Sequence, residues 1–206
     1  MKKLLLSLLL AGTSLVTFAQ LPTFGIKGGV NFAKFHATVD ELGGSGSSGS
    51  LTTFNVGGFV DFKFGNVSLQ PALNFTGKGG SSSAAIDDES TSSGKVRLYY
   101  LQVPVNIVYH VPAVVGDLYF GAGPYIAMGI SGKAKDDEGN SADIKFGSGD
   151  DDLKRTDAGL NAIVGFKFKT GFLINANYDW GLTNVTNLSS VKLTNRVFGV
   201  SIGYAF

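Results

Sequence analysis

The chain has 206 residues, 44% hydrophobic and only 16% charged, with a formal net charge of +1. Its 29 Gly, 16 Phe and 7 Tyr and its lack of Cys exclude a disulfide scaffold, a coiled coil and an acidic disordered chain. The near-neutral balance also excludes a nucleic-acid partner held by a strongly basic face. Lys2 and Lys3 precede the apolar run Leu4 to Leu10, and Thr17-Phe18-Ala19 stands before Gln20. A charged start, a short apolar stretch and a small-residue cleavage site predict a signal peptide over 1–19, leaving 20–206 as the mature domain. The apolar run is shorter than the ~20 residues a spanning helix needs. No Cys is present for lipid attachment. Without Lys2 and Lys3 the mature chain carries 15 basic and 16 acidic residues.

The mature chain alternates with period two in eight segments. The first runs near Phe24–Phe35. In Phe54–Phe64 one face carries Phe54, Val56, Gly58, Val60, Phe62 and Phe64, and the other carries Asn55, Gly57, Phe59, Asp61 and Lys63. Val67–Phe75 opposes Val67, Leu69, Pro71, Leu73 and Phe75 to Ser68, Gln70, Ala72 and Asn74. Segments near Arg97–His110, Leu118–Ile130 and Thr156–Phe168 follow, then Phe172–Leu182 and a last strand whose bulky face is Phe198, Val200, Ile202, Tyr204 and Phe206. The connections alternate as well: 37–53, 77–95, 131–155 and 183–195 are longer, whereas 65–66, 111–117 and 169–171 are short. This pattern predicts an all-β, eight-stranded, antiparallel up-and-down transmembrane β-barrel in the bacterial outer membrane. Eleven residues at about 3.3 Å each, tilted by about 40°, rise roughly 27 Å, close to the apolar band of such barrels.

A soluble barrel with an apolar interior alternates too, with inside and outside exchanged. Charge separates the two. The bulky faces carry charge only near strand ends, at Lys34, Arg97 and Arg196, whereas the opposite faces carry Lys27, Asp61, Lys63, Asp157, Lys167 and Asp179. These six form the expected lumen charge network, with Lys27, Asp61, Lys63 and Lys167 toward the turn end and Asp157 and Asp179 toward the loop end. An eight-stranded lumen is just wide enough to be filled by side chains, which disfavours a pore. Pro71, Pro104 and Pro124 lie inside strands and each removes a ladder donor, so bulges or local breaks are expected there.

Several short motifs resemble the PorT-like outer-membrane β-barrel family of Bacteroidetes-type bacteria, and more loosely the OmpA/OmpX-like eight-stranded barrels. They are Gly25-Ile26-Lys27-Gly28-Gly29-Val30-Asn31, Leu69-Gln70-Pro71-Ala72-Leu73 followed by Gly77-Lys78-Gly79, Tyr100-Leu101-Gln102-Val103-Pro104-Val105, Gly121-Ala122-Gly123-Pro124-Tyr125 and Tyr178-Asp179-Trp180-Gly181-Leu182-Thr183-Asn184. The family often has an acid where Ala72 and Gln102 stand, and this chain departs from it there. The resemblance implies an accessory part in secretion or transport and supplies no catalytic residues.

No candidate enzyme site emerges. His36 and His110 fall at opposite ends of the expected barrel, so they share no metal or relay; a rim site of His36 with Asp40 is disfavoured. The four longer connections hold 12 acidic and 8 basic residues, among them Asp87-Asp88-Glu89, Asp136-Asp137-Glu138 and Asp150-Asp151-Asp152. Without the spaced ligands of a calcium loop these read as a solvated acidic surface. No cofactor or metal is expected. The expected role is structural or interactive, with outer-membrane lipid and lipopolysaccharide, the barrel-assembly machinery, and an extracellular or secretion-system protein as partners. Tyr204 and Phe206 end the last strand and are the expected assembly signal.

Overall fold

The computed structural model describes residues 21–39, 44–87, 90–136, 138–147, 149, 152–187 and 191–206. The expected signal peptide lies outside them. The strands are β1 (Thr23–Val39), β2 (Gly44–Ser47), β3 (Leu51–Phe64), β4 (Val67–Asp87), β5 (Ser90–Ala113), β6 (Gly116–Asp136), β7 (Ser141–Ile144), β8 (Thr156–Phe168), β9 (Phe172–Gly181) and β10 (Val191–Ala205). Each long strand pairs with its neighbour in sequence, and β10 pairs with β1 from Gly25↔Ala205 to Val39↔Val191. Eight long strands therefore close into a barrel with no free edge in its middle, which satisfies the backbone without water. The short strands β2 and β7 add only to the ends of β1 and β6.

Turns stand at one end, at 65–66, 114–115 and 169–171, where Gly65 and Gly171 take positive φ of 65° and 93°. The connections at the other end are more structured than sequence alternation indicates. The segment 77–95 is a strand pair rather than a loop: β4 and β5 run 21 and 24 residues and stay paired from Gly77↔Tyr99 to Asp87↔Ser90. Within 131–155, β6 continues to Asp136 and β7 pairs back on it.

Burial is inverted relative to a soluble barrel. Phe24, Ile26, Ile107 and Ile202 on the outer face are 56, 58, 64 and 71% exposed, while Asn31, Asn106, Asp157, Asn175 and Asp179 inside are 2% exposed or less. Apolar outside and polar inside is the transmembrane pattern. Rings mark both borders of the outer face. Tyr99 stacks on Phe75 at 5.4 Å and meets Phe54 at a tilt at 5.7 Å toward the loop end, and Tyr204 contacts Phe172 and Phe206 at 5.3 and 5.2 Å toward the turn end.

The prolines interrupt pairing without shifting register. The β4–β5 ladder skips between Pro71↔Val105 and Asn74↔Gln102, and the β5–β6 ladder between Pro104↔Tyr125 and Ile107↔Ala122. In the β5–β6 ladder the register shift lies elsewhere, between Tyr99↔Ser131 and Tyr100↔Gly129, which leaves Ile130 as an extra residue in β6.

Candidate functional site

The polar interior has three tiers. At the turn end, Lys63 Nζ and Lys167 Nζ lie 3.5 and 3.9 Å from the same oxygen of Asp117. Beside them Asp61 Oδ2 lies 3.5 Å from His110 Nε2, which also meets Ser68 Oγ at 2.9 Å. Serine, histidine and carboxylate thus meet on one ring nitrogen, and His110 Nδ1 has no partner among the described residues. A nucleophilic relay needs the carboxylate on the opposite ring nitrogen, so this trio lacks relay geometry. Alternation places Ser68, His110 and Asp117 on the lumen faces of their strands. Their charge roles were legible in principle, but sequence gives no partner.

In the middle tier Asp179 accepts from Gln102 Nε2 at 3.0 Å and Asn161 Nδ2 at 2.5 Å. Lys27 faces Asp179 across a cavity of about 20 Å³, space for about one water. It also lines a second cavity of about 20 Å³ beside Asp61, His110 and Lys167. Asn31 donates to Thr76 Oγ1 and accepts from Asn55, which in turn accepts from Ser201. Gln102 is here an amide donor to Asp179.

The third tier centres on Lys78, counted above as a base of a loop. It is fully buried, 2.8 Å from the fully buried Asp157. Asp157 also accepts from Thr183, Asn195 and Tyr125 at 2.9, 3.0 and 3.3 Å. The Lys78 ammonium lies 4.3 and 5.3 Å from the ring centres of Tyr125 and Tyr100. The alternation of Gln70, Ala72, Asn74 and Thr76 would have carried Lys78 inward had the strand been continued past Phe75. Of the six lumen residues expected from sequence, Lys63 and Lys167 therefore meet through Asp117, Lys27 faces Asp179, and Asp61 and Asp157 pair with His110 and Lys78.

Above this tier the loop end is covered. Phe35, Leu98, Tyr100, Tyr125, Ala127 and Val185 form a buried apolar cluster, with Ile144, Phe146, Leu153 and Leu193 packed against it. Asn187 Nδ2 donates to the carbonyls of Gly147, Gly149 and Asp152 at 3.3, 2.8 and 3.0 Å, tying two connections together. His36 meets Ser47 at this end, 3.2 Å away, far along the barrel from His110; Asp40 lies outside the described residues. So do Asp88, Glu89, Asp137, Asp150 and Asp151 of the acidic runs. Phe206 is 74% exposed, and its N–H donates to Phe24 O at 2.7 Å.

Residues 18–187 match the family model described as outer membrane protein beta-barrel domain. The chain belongs to this family. Membership places it among small barrels of the outer membrane. No curated protein matches the chain. Solved structures of similar outline include Ail, the attachment invasion locus protein of Yersinia pestis, at 18% identity and TM-score 0.43, covering 91% of this chain and 100% of that one. Neisserial surface protein A matches at 14% and 0.46 over 91% and 99%. OprG from Pseudomonas aeruginosa matches at 13% and 0.48 over 89% and 95%.

Proposed function

We propose that this outer-membrane barrel is closed to ions and works through its loop surface, as a structural or interaction protein of the envelope. The observation that carries this reading is the covered loop end: an apolar cluster sits over a buried Lys78–Asp157 pair. The two interior cavities below it hold about one water each. An even-stranded barrel keeps both chain ends in the periplasm, so 37–53, 77–95, 131–155 and 183–195 face outward. Reconstituted protein gives little or no steady conductance in a planar bilayer; a large, stable, ion-selective channel overturns the reading. Protease added to intact cells cuts first in 37–53 or 131–155, and cleavage confined to 111–117 inverts the orientation.

The PorT-like motifs favour a second reading, an accessory part in secretion. The two separate in a deletion strain. Loss of exported protein with an intact envelope supports secretion, whereas loss of adhesion or detergent resistance supports the surface role. In either case the terminal strand with Tyr204 and Phe206 is proposed as the segment that the barrel-assembly machinery pairs with before β10 closes on β1, since an unclosed strand presents free N–H and C=O groups.

A further inference from the structure

On the outside of the barrel, just past the ring of Phe54, Phe75 and Tyr99, two like-charged pairs face one another across the β5–β6 ladder. Arg97 is directly opposite Lys133, and Lys95 opposite Lys135. All four side chains are exposed. None is in an ion pair among the described residues. Like charges directly opposite repel, so the arrangement is unfavourable unless an anion occupies it. Cross-strand partners lie about 5 Å apart and same-face positions along a strand about 7 Å apart. Four cations on such a grid can reach one or two phosphate groups together.

The bulge builds this patch. Tyr125, Ala127 and Gly129 face the lumen, and strict alternation would send Lys133 and Lys135 inward with them. The extra residue Ile130 reverses the phase, so Gly132 faces Leu98 inside and both lysines turn outward beside Arg97 and Lys95. Bulges commonly re-aim side chains in this way. On the β4 side, Arg97 and Lys95 face Gly79 and Ser81, which carry no charge. On the β7 side, Asp143 stands opposite Lys133 without pairing to it.

We propose that Lys95, Arg97, Lys133 and Lys135 bind the phosphate groups of an outer-leaflet phosphoglycolipid. The continuous surface below the patch selects a lipid over a soluble anion. Beneath Arg97 and Lys133 stands the pair Tyr99 and Ser131, and below it lie Leu101, Met128 and Ile130, 37, 50 and 51% exposed. Acyl chains lie along them while the headgroup meets the cations. The inference rests on the outward orientation of this end proposed above.

The probe is bis-phosphorylated lipid A, added to the purified full chain in uncharged detergent and read by native mass spectrometry. Wild-type protein retains the lipid. Lys95→Gln/Arg97→Gln/Lys133→Gln/Lys135→Gln loses at least tenfold in apparent affinity while keeping heat-modifiable gel mobility. Dephosphorylated lipid A binds the wild type as weakly as bis-phosphorylated lipid A binds the variant, and Lys192→Gln, an exposed base of β10, binds like the wild type. Should the fourfold variant misfold, Arg97→Gln/Lys133→Gln alone loses at least threefold. Unchanged affinity in a folded variant, equal binding of the dephosphorylated lipid, or displacement by equimolar inorganic phosphate each overturns the proposal. Because the protein is purified, this result is independent of orientation. Protease cleavage confined to 111–117 on intact cells would move the site to the other leaflet without changing the binding.

Discussion

Removing Lys78 tests whether the interior is held by its buried ion pair. The pair is fully buried with a 2.8 Å contact, so truncating one partner strands a charge, which costs about 3–5 kcal/mol. The two sides differ. Lys78→Met leaves Asp157 with donors from Thr183, Asn195 and Tyr125, which puts its cost near the lower end, about 3 kcal/mol. Asp157→Asn leaves the Lys78 ammonium with the ring faces of Tyr125 and Tyr100 and no carboxylate, a cost near the upper end, about 5 kcal/mol. The double variant holds no stranded charge. It loses clearly less than the sum of the singles, because neutral replacement of a buried ion pair costs little, giving a coupling of about 3 kcal/mol. The cycle is measured by urea unfolding in detergent micelles, following the single tryptophan, Trp180, and the heat-modifiable gel shift. Because the pair is buried, moderate salt leaves the coupling largely intact. Additivity of the two single losses within about 0.5 kcal/mol would refute the reasoning.

Three further outcomes are expected. A Cβ at Gly29 meets Val200 O and Ser201 Cα on the closing strand, whereas one at Gly28 comes no nearer than 3.5 Å, to Asn55 O; Gly29→Ala therefore lowers the yield of closed barrel on refolding and Gly28→Ala does not. Equal yields of the two would show that the β1–β10 approach tolerates a methyl group. Val185 is fully buried in the cluster over the loop end, so Val185→Asp loosens the cover and produces intermittent conductance in planar bilayers where wild type shows little. Phe206→Ala reduces assembled barrel in cells but costs the refolded protein only about 1–3 kcal/mol; wild-type levels in cells leave Phe206 as an interface anchor alone.

Alternation was sufficient to read eight strands and their lipid and lumen faces, because every strand between two solvents must repeat every second residue. The partition of charge onto one face was legible for the same reason: neither Asp61 nor Lys167 can face lipid cheaply. Strand ends were harder to read. Past Phe75 the residues turn small and polar, as in a loop, yet β4 and β5 continue as a pair beyond the apolar band, and that continuation buries Lys78. The pairing of lumen charges was also beyond the sequence. Which carboxylate reaches which lysine depends on strand tilt and shear, and these bring Lys78 to Asp157 across 79 positions of chain.

The sequence by itself determined that this chain crosses a membrane with strands, because period-two alternation with charge on one face has few other physical solutions. Only the tertiary structure decided how the ends are finished. The covering of the loop end arises because Phe35, Leu98, Phe146 and Val185, distant in sequence, pack together only after the barrel has brought their segments together. The basic patch arises from a single extra residue, Ile130, and a one-residue phase change leaves no mark in composition while turning every later side chain to the opposite face.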